Sequence, residues 1–188
     1  MAYSFQSNVI GDPNIVDTTL VAPGIANLPQ YVLEPQVGEI RQGWDPALGS
    51  GEFIYLRYSG TIAANVVVEI TPSLAAGIVT LSATAWAGTA NTGKSLAVSV
   101  VAGTVGQYGW FQVEGNAIVV TAGTPAAGNS VYYGASAGAV RPTANAGAQV
   151  IGANYTTAAS VAVSGYGTLT STQAVVMLNR PAVQSAIT

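Results

Sequence analysis

The sequence predicts an all-β fold whose body is a β-sandwich, in a jelly-roll or another arrangement, or a small β-barrel. Composition is the first observation behind this prediction. Charged residues make up only 7% of the chain, hydrophobic residues make up 49%, and strand-forming valine and threonine are frequent. The spacing of short apolar or alternating runs is the second observation. These runs recur between Gly, Pro and Asn turns at intervals of roughly 10 to 15 residues. No segment has convincing helical periodicity.

An extended, proline-rich arm is predicted to precede this body, over residues 1–35. The prolines of the N-terminal quarter follow one another too closely for a helix, at Pro13, Pro23, Pro29, Pro35 and Pro46. The arm also carries too many apolar residues for a simple linker, so we expect it to lie on its own body, on a neighbouring subunit or on a larger scaffold. We therefore divide the chain into an arm with a first strand, residues 1–48, and a β-rich body, residues 49–188.

The first half of the body contains a series of predicted strands that end at Gly, Pro or Ser turns. They span residues 53–58, 66–70, 78–86 and 95–100. In the last of them, Leu96, Val98 and Val100 alternate with smaller residues, which indicates a strand with one strongly apolar face.

The second half continues the pattern. Its predicted strands span residues 110–114, 118–121, 131–133, 149–155, 160–164 and 174–178. The first two of these flank Gly115-Asn116, which predicts a hairpin there. The last is apolar on both faces, which is typical of a central strand or of one that another subunit partly covers. Because the body carries so little charge to keep strand edges apart, we also expect an oligomer.

The few charges of the chain limit its partners. Six of the eight acidic residues fall in the first 52 positions, and the net charge is −3 with five basic residues in total. That balance cannot attract a polyanion strongly, so we expect no nucleic-acid partner. We find no apolar run of about 18 residues and no leader-like start, so we expect no membrane partner and synthesis in the cytoplasm. The chain has no Cys and no His, which excludes disulfides, thiolate metal sites and histidine proton transfer.

One sequence motif matches a phosphate-binding loop. Residues 88–95 fit the pattern G-x-x-x-x-G-K-[ST], with Lys94 in the lysine position. That chemistry requires a strand before the loop, a helix after it and a carboxylate to complete the Mg²⁺ shell. The residues after Lys94 alternate like a strand instead, and the only acid beyond Lys94 is Glu114. We therefore interpret the match as a polar hairpin loop.

The sequence does not support two other catalytic arrangements either. A serine hydrolase would have to use Lys94 as its base, and nothing in the sequence marks a partner for it. A glycosidase requires two carboxylates across a sugar, whereas the acids here cluster in and near the proline-rich arm. We predict no enzymatic activity, no catalytic residues, no cofactor and no metal site.

Aromatic side chains suggest one further kind of binding, to carbohydrate. Neighbouring predicted strands carry Tyr108, Trp110, Phe111, Tyr132 and Tyr133. Exposed aromatic rings can stack on sugars, but tryptophan and tyrosine more commonly fill cores and subunit interfaces. We favour the core and interface interpretation.

Several segments resemble a known family. From residue 106 onward the chain reads GQYGWFQVEGNAIVV, then TAGTPAAGNSVYYG and GAVRPTANAGAQVIG, and it closes with AVVMLNRPA. These segments are similar to the small β-domains of tailed-bacteriophage head decoration proteins, and the proline-rich start resembles the arms by which such cement proteins hold a capsid. The resemblance covers about half of the chain. It implies a homotrimer seated at threefold and quasi-threefold positions of the phage head.

The resemblance therefore implies a structural virion protein, made in the bacterial host, which decorates the capsid exterior. Such a protein would bind across neighbouring subunits of the major capsid protein and stabilise them. The residues that we expect to contact partners are Tyr3, Phe5, Ile15, Leu20, Tyr31, Arg41 and Trp44. Two alternatives stay open: a tail, fibre or spike component that contacts a host receptor, and a carbohydrate-binding β-module.

Overall fold

A computed structural model describes Ser4–Phe5 and residues 35–75, 78–134 and 136–186 of the chain. These residues form strands, turns and loops and contain no helix, which confirms the all-β prediction. The strands are β1 (Ser4–Phe5), β2 (Ile40–Asp45), β3 (Gly49–Tyr58), β4 (Val67–Ala75), β5 (Ile78–Ala85), β6 (Leu96–Ser99), β7 (Tyr108–Val120), β8 (Ser130–Tyr133), β9 (Val140–Arg141), β10 (Gln149–Tyr155), β11 (Ala162–Val163), β12 (Gly167–Thr168) and β13 (Gln173–Val183).

Five of these strands close into a small barrel. β3 pairs with β5 in parallel, and antiparallel pairings then join β5 to β4, β4 to β6, β6 to β7 and β7 back to β3. Because side chains alternate across a strand, each strand sends every second residue into the barrel. The buried cluster that fills it consists of Ile54, Leu56, Tyr58, Ile62, Val66, Val68, Ala83, Ala97, Phe111 and Val113.

The strand β7 belongs to a second closed circuit as well. Residues 108–112 and 114–115 of β7 pair with β3 along one edge, and residues 114–120 pair with β13 along the other edge. From β13 the pairings continue to β10, β8 and β9, and a parallel bridge between Thr121 and Val140 leads back to the end of β7. The barrel and the second circuit therefore share one strand.

Two further apolar clusters lie outside the barrel. On one side, Val67, Leu96 and Val98 of the barrel wall pack with residues of the second circuit around the fully buried Trp86. On another side, a cluster around the fully buried Trp110 is covered by residues in and near the short β11–β12 hairpin. Burial of one such large apolar side chain stabilises the fold by about 1.5–3 kcal/mol.

The hairpin predicted at Gly115-Asn116 is wrong. β7 runs through both residues without a turn. The register between β3 and β7 shifts at Val113, the extra residue between Gln112 and Glu114, so the strand forms a bulge just before Gly115, whose φ is +89°. The bulge bends β7 out of the barrel and into the second circuit.

The central position predicted for the last strand is confirmed, since β13 lies between β7 and β10. Its two faces pack into different clusters: Val175 lies with Trp110, and Val176 lies with Trp86. β13 also extends past the predicted range, through Pro181 to Val183. The register between β10 and β13 shifts opposite Gly152, which places Pro181 in a bulge. Proline has no backbone N–H to donate, and in a bulge no hydrogen bond between the strands requires one.

The start of the chain lies against the body where it is described. β1 pairs with β2, with Ser4 opposite Trp44 and Phe5 opposite Gly43. β2 in turn pairs with β3 along its whole length, so it belongs to the same sheet as the body. The remainder of the predicted arm, residues 1–3 and 6–34, lies outside the described residues.

Candidate interaction surface

The loop that matches a phosphate-binding motif has a structural role. It leads into the strand β6, as expected, but β4 lies between β5 and β6, so the hairpin predicted here is wrong. Lys94 donates a hydrogen bond from Nζ to Oε2 of Glu69 across 2.7 Å. Glu69 is only 8% exposed, and within the described part of the chain its Oε1 has no hydrogen-bond partner. The charge of Lys94 therefore compensates a buried carboxylate.

The described residues contain no group of three or more acidic, histidine or cysteine side chains that could hold a metal ion. In those same stretches no helix is long and apolar enough to span a membrane. Two acids do face each other, because Glu52 on β3 stands opposite Glu114 on β7. Arg180 forms an ion pair with Glu52, which offsets the negative charge of this pair.

Of the five aromatic residues considered for sugar binding, Trp110 and Phe111 are fully buried, and Tyr108, Tyr132 and Tyr133 are half-buried. Tyr133 packs edge-on against the fully buried Trp86, with ring centroids 5.1 Å apart. Trp44, which was not among the five, has 47% of its surface exposed.

One end of the barrel opens into a cavity of about 220 Å³. Its lining is mainly apolar and comprises Ile40, Ile54, Ile70, Ser95, Leu96, Val113, Arg180 and Pro181. Pockets for small organic ligands have volumes of roughly 300–1,000 Å³, so this one is small for that purpose. Its size and lining suit a single large apolar side chain from a partner protein.

The outer face of β2 continues this apolar surface. Side chains of β2 alternate, so that Ile40, Gln42 and Trp44 are exposed on one face while Gly43 and Asp45 are buried on the other. Ile40 lines the cavity and is 43% exposed. Trp44 lies on the same face of β2 as Ile40, four residues along the strand, and exposed tryptophan is typical of protein interfaces. We call the cavity together with Ile40, Gln42 and Trp44 the mouth surface.

The rim of the mouth surface carries one charged group. Arg180 projects from the bulge in β13, exposes 58% of its side chain and pairs with Glu52. Its φ of +46° is unusual for a residue with a side chain and costs about 1–2 kcal/mol. Such backbone strain is often found at binding sites. Here it holds a guanidinium group beside the apolar cavity.

The residues predicted to contact partners have different surroundings. Trp44 lies on the mouth surface, and Phe5 lies in β1 beside it. Arg41 faces the other way: its Nε lies 2.6 Å from Oε1 of Glu39, and its guanidinium lies 5.6 Å from the ring centre of Trp110. Tyr3, Ile15, Leu20 and Tyr31 lie outside the described residues. Partner contact at all seven positions stays a prediction.

Other residues of the mouth surface were not predicted from sequence. Alternation in Ile40–Asp45 could have placed Ile40 on the face of Trp44. Nothing in the sequence joins Ile40 to Arg180 and Pro181, because these residues meet only when β2 pairs with β3, β3 with β7 and β7 with β13.

A second projecting feature is the end of the β4–β5 hairpin. The pairs Ser73 with Thr80, Leu74 with Val79 and Ala75 with Ile78 continue beyond the last β4 residue that β6 pairs with, which is Glu69. The sequence between Glu69 and Lys94 contains no charged residue. The end of this hairpin is therefore a two-stranded ribbon without charged residues.

Neither a protein-family model nor a curated protein sequence matches the chain. Among solved structures, the chain is similar to the head fiber gp8.5 N base in bacteriophage phi29. The two chains are 13% identical, with a TM-score of 0.43 over 70% of this chain and 97% of the other. At this level of similarity the function has to be argued from the residues of the chain itself.

Proposed function

We propose that this protein is a structural component of a bacteriophage particle that decorates the capsid exterior and stabilises it across neighbouring capsid subunits. The observation that carries the proposal is the mouth surface, where Ile40, which is 43% exposed, lines an apolar cavity and Trp44, which is 47% exposed, lies on the same face of β2. Such a surface supports binding to another protein. The resemblance of the segments from residue 106 onward to head decoration proteins favours a capsid protein as the partner.

Binding of this kind requires a stable fold and a complementary surface, and no active site. Trp44 would enter an apolar groove of the capsid, and a capsid side chain would fill the cavity next to Ile40. Interface tryptophans often contribute 2 kcal/mol or more to binding. If the protein is a trimer, as the family resemblance implies, three such contacts would act together and raise the apparent affinity. The low charge would make attachment relatively insensitive to salt.

The test compares two exposed apolar residues. Trp44→Ser removes the tryptophan of the mouth surface, whereas Val105→Ser alters a residue that is 64% exposed in the loop between β6 and β7. Each variant is mixed with undecorated heads, and the bound fraction is measured by sedimentation. We expect Trp44→Ser to weaken binding at least tenfold and Val105→Ser to bind like the wild type. Equal binding by the two variants would count against the mouth surface.

The predicted arm is tested separately. Deletion of residues 2–35 is expected to abolish head binding and to leave a folded body, as circular dichroism would show. Full binding by the truncated protein would remove the arm from the proposal.

Copy number distinguishes the proposal from its alternatives. Quantitative mass spectrometry of purified particles should find this protein at a level near that of the major capsid protein. A handful of copies would favour a tail, fibre or spike component, and absence from the particle would discard a virion role. Binding to a glycan array would favour a carbohydrate-binding module.

A further inference from the structure

The edge of β2 accepts a strand from a distant part of the sequence. β1 is only two residues long, and it pairs with Gly43 and Trp44 at one end of the six-residue strand β2. β2 itself is held firmly, because every one of its residues is paired with β3. The accepting edge is therefore preorganised by the body, whether or not β1 occupies it.

The connection between β1 and the body is long. Residues 6–34 lie between β1 and the first described residues of the body. A fully extended chain of that length reaches roughly 100 Å, whereas the radius of gyration of a domain of this size is roughly 16 Å. A segment of this length can therefore reach the edge of β2 on an adjacent copy of the chain.

We infer that β1 is an exchangeable strand, which pairs with β2 of a second copy of this chain when copies lie side by side. The main-chain pairing of Ser4 with Trp44 and of Phe5 with Gly43 is the same in either arrangement, so exchange preserves both pairs. What exchange adds is a link between copies. After one link has formed, the next link forms between chains that are already held together. Several links therefore hold an oligomer more tightly than a single link does.

This inference is independent of what the protein binds, and its test uses the purified full chain without capsids. The chain has no cysteine, so introduced thiols report on chosen positions alone. Ser4→Cys is placed in one chain, and Trp44→Cys is placed in a second chain that carries a size tag. The two are co-expressed, purified together, oxidised and separated on a non-reducing gel. Exchange predicts a disulfide-linked band that contains one chain of each size.

Two further samples make every outcome decisive. The double variant with both Ser4→Cys and Trp44→Cys measures pairing within one chain. If only the double variant forms a disulfide, and does so as a monomer, β1 stays on its own body and the inference is overturned. If no sample forms a disulfide, β1 does not occupy this edge at all, which overturns it as well. Ser4→Cys combined with Val105→Cys is the control for random collisions, and we expect it to give no linked band.

Discussion

Tyr166 donates its hydroxyl hydrogen to Oδ2 of Asp45 across 2.7 Å, and it thereby ties the β11–β12 hairpin to the end of β2. Asp45 is only 1% exposed. Its other oxygen, Oδ1, accepts hydrogen bonds from the N–H groups of Ala47 and Leu48 at 2.8 and 2.9 Å. Both oxygens of a buried carboxylate are thus satisfied, and the hairpin is fixed over the cluster around Trp110.

Removal of this hydroxyl should destabilise the body. We expect Tyr166→Phe to lower the free energy of unfolding by about 1.5–3 kcal/mol, because a buried charged oxygen loses a donor. Urea denaturation followed by tryptophan fluorescence measures the change. Tyr132→Phe is the matched control, since the hydroxyl of the half-buried Tyr132 makes no hydrogen bond to any other residue that the structure describes. Equal stability of the two variants would show that the Tyr166 contact contributes nothing.

The bulge in β7 predicts a difference between two glycines. A Cβ atom on Gly115 would lie 2.2 Å from the carbonyl oxygen of Ser50, whereas one on Gly106 would meet nothing within 4 Å. Both residues have positive φ, of +89° and +87°. Gly106→Ala should therefore cost about 1–2 kcal/mol of backbone strain alone. Gly115→Ala should cost at least about 2 kcal/mol more, because β3 must move away from β7.

Thermal unfolding of the two alanine variants provides the comparison. Similar melting temperatures would mean that β3 and β7 separate easily at this point, and the close approach would then not be a constraint on the fold.

The ion pair between Lys94 and Glu69 should stabilise the fold, because the charge of Lys94 compensates the buried carboxylate of Glu69. Lys94→Met leaves the carboxylate of Glu69 without a charged partner and should lower the free energy of unfolding by about 1–3 kcal/mol. The loss is limited because Lys94 is 43% exposed and water partly replaces it. The double variant with Glu69→Gln and Lys94→Met should recover part of the loss. Urea denaturation of all three proteins measures this, and a double variant less stable than Lys94→Met would contradict the explanation.

Alkaline pH should destabilise the body through two buried tyrosines. Burial raises the pKa of Tyr155 to about 12, although its hydrogen bond with Thr121 lowers the pKa somewhat. Burial also raises the pKa of Tyr58 well above the ordinary value. Unfolded tyrosine ionises near pH 10, so above that pH the unfolded chain loses protons that the folded protein keeps. The stabilisation is complete below pH 10 and is lost as the pH rises toward 12.

Urea midpoints measured from pH 8 to pH 11.5 test this dependence. The wild type should decline steeply above pH 10, and Tyr155→Phe should decline less, because one of the two groups is gone. Tyr132→Phe leaves both buried tyrosines in place and should follow the wild type. Parallel curves for the wild type and Tyr155→Phe would exclude Tyr155 as a source of the decline.

Local patterns in the sequence predicted most of the strands. The alternation of apolar residues along a strand and the turn residues at its ends each involve only a few neighbouring positions. The alternation of Leu96, Val98 and Val100 is an example, and the apolar pattern at 174–178 correctly predicted a central strand. The prediction failed at Gly115-Asn116, because a glycine with positive φ permits either a turn or a bulge. The choice between them depends on β3, whose partner residues lie some 60 positions earlier in the chain.

The mouth surface was predictable only in part for the same reason. Trp44 was singled out from its position near the arm, but its neighbours on the surface come from both ends of the body. Ile40 and Arg180 line one cavity because β3 pairs with β7 and β7 pairs with β13, and neither pairing follows from local sequence. The orientation of Arg41 toward Trp110 likewise depends on how the cluster beneath β2 assembles.

The sharing of β7 between two circuits has a consequence for synthesis of the protein in the cell. One edge of β7 is completed by β3 and the start of the other edge by β6, both made earlier, but residues 114–120 must wait for β13, more than 50 residues later. At about 5–20 residues per second, a ribosome leaves that part of the edge open for roughly 3–10 s. During this interval an apolar strand edge is available to pair with the wrong chain. This risk ends when β13 emerges and closes the second circuit.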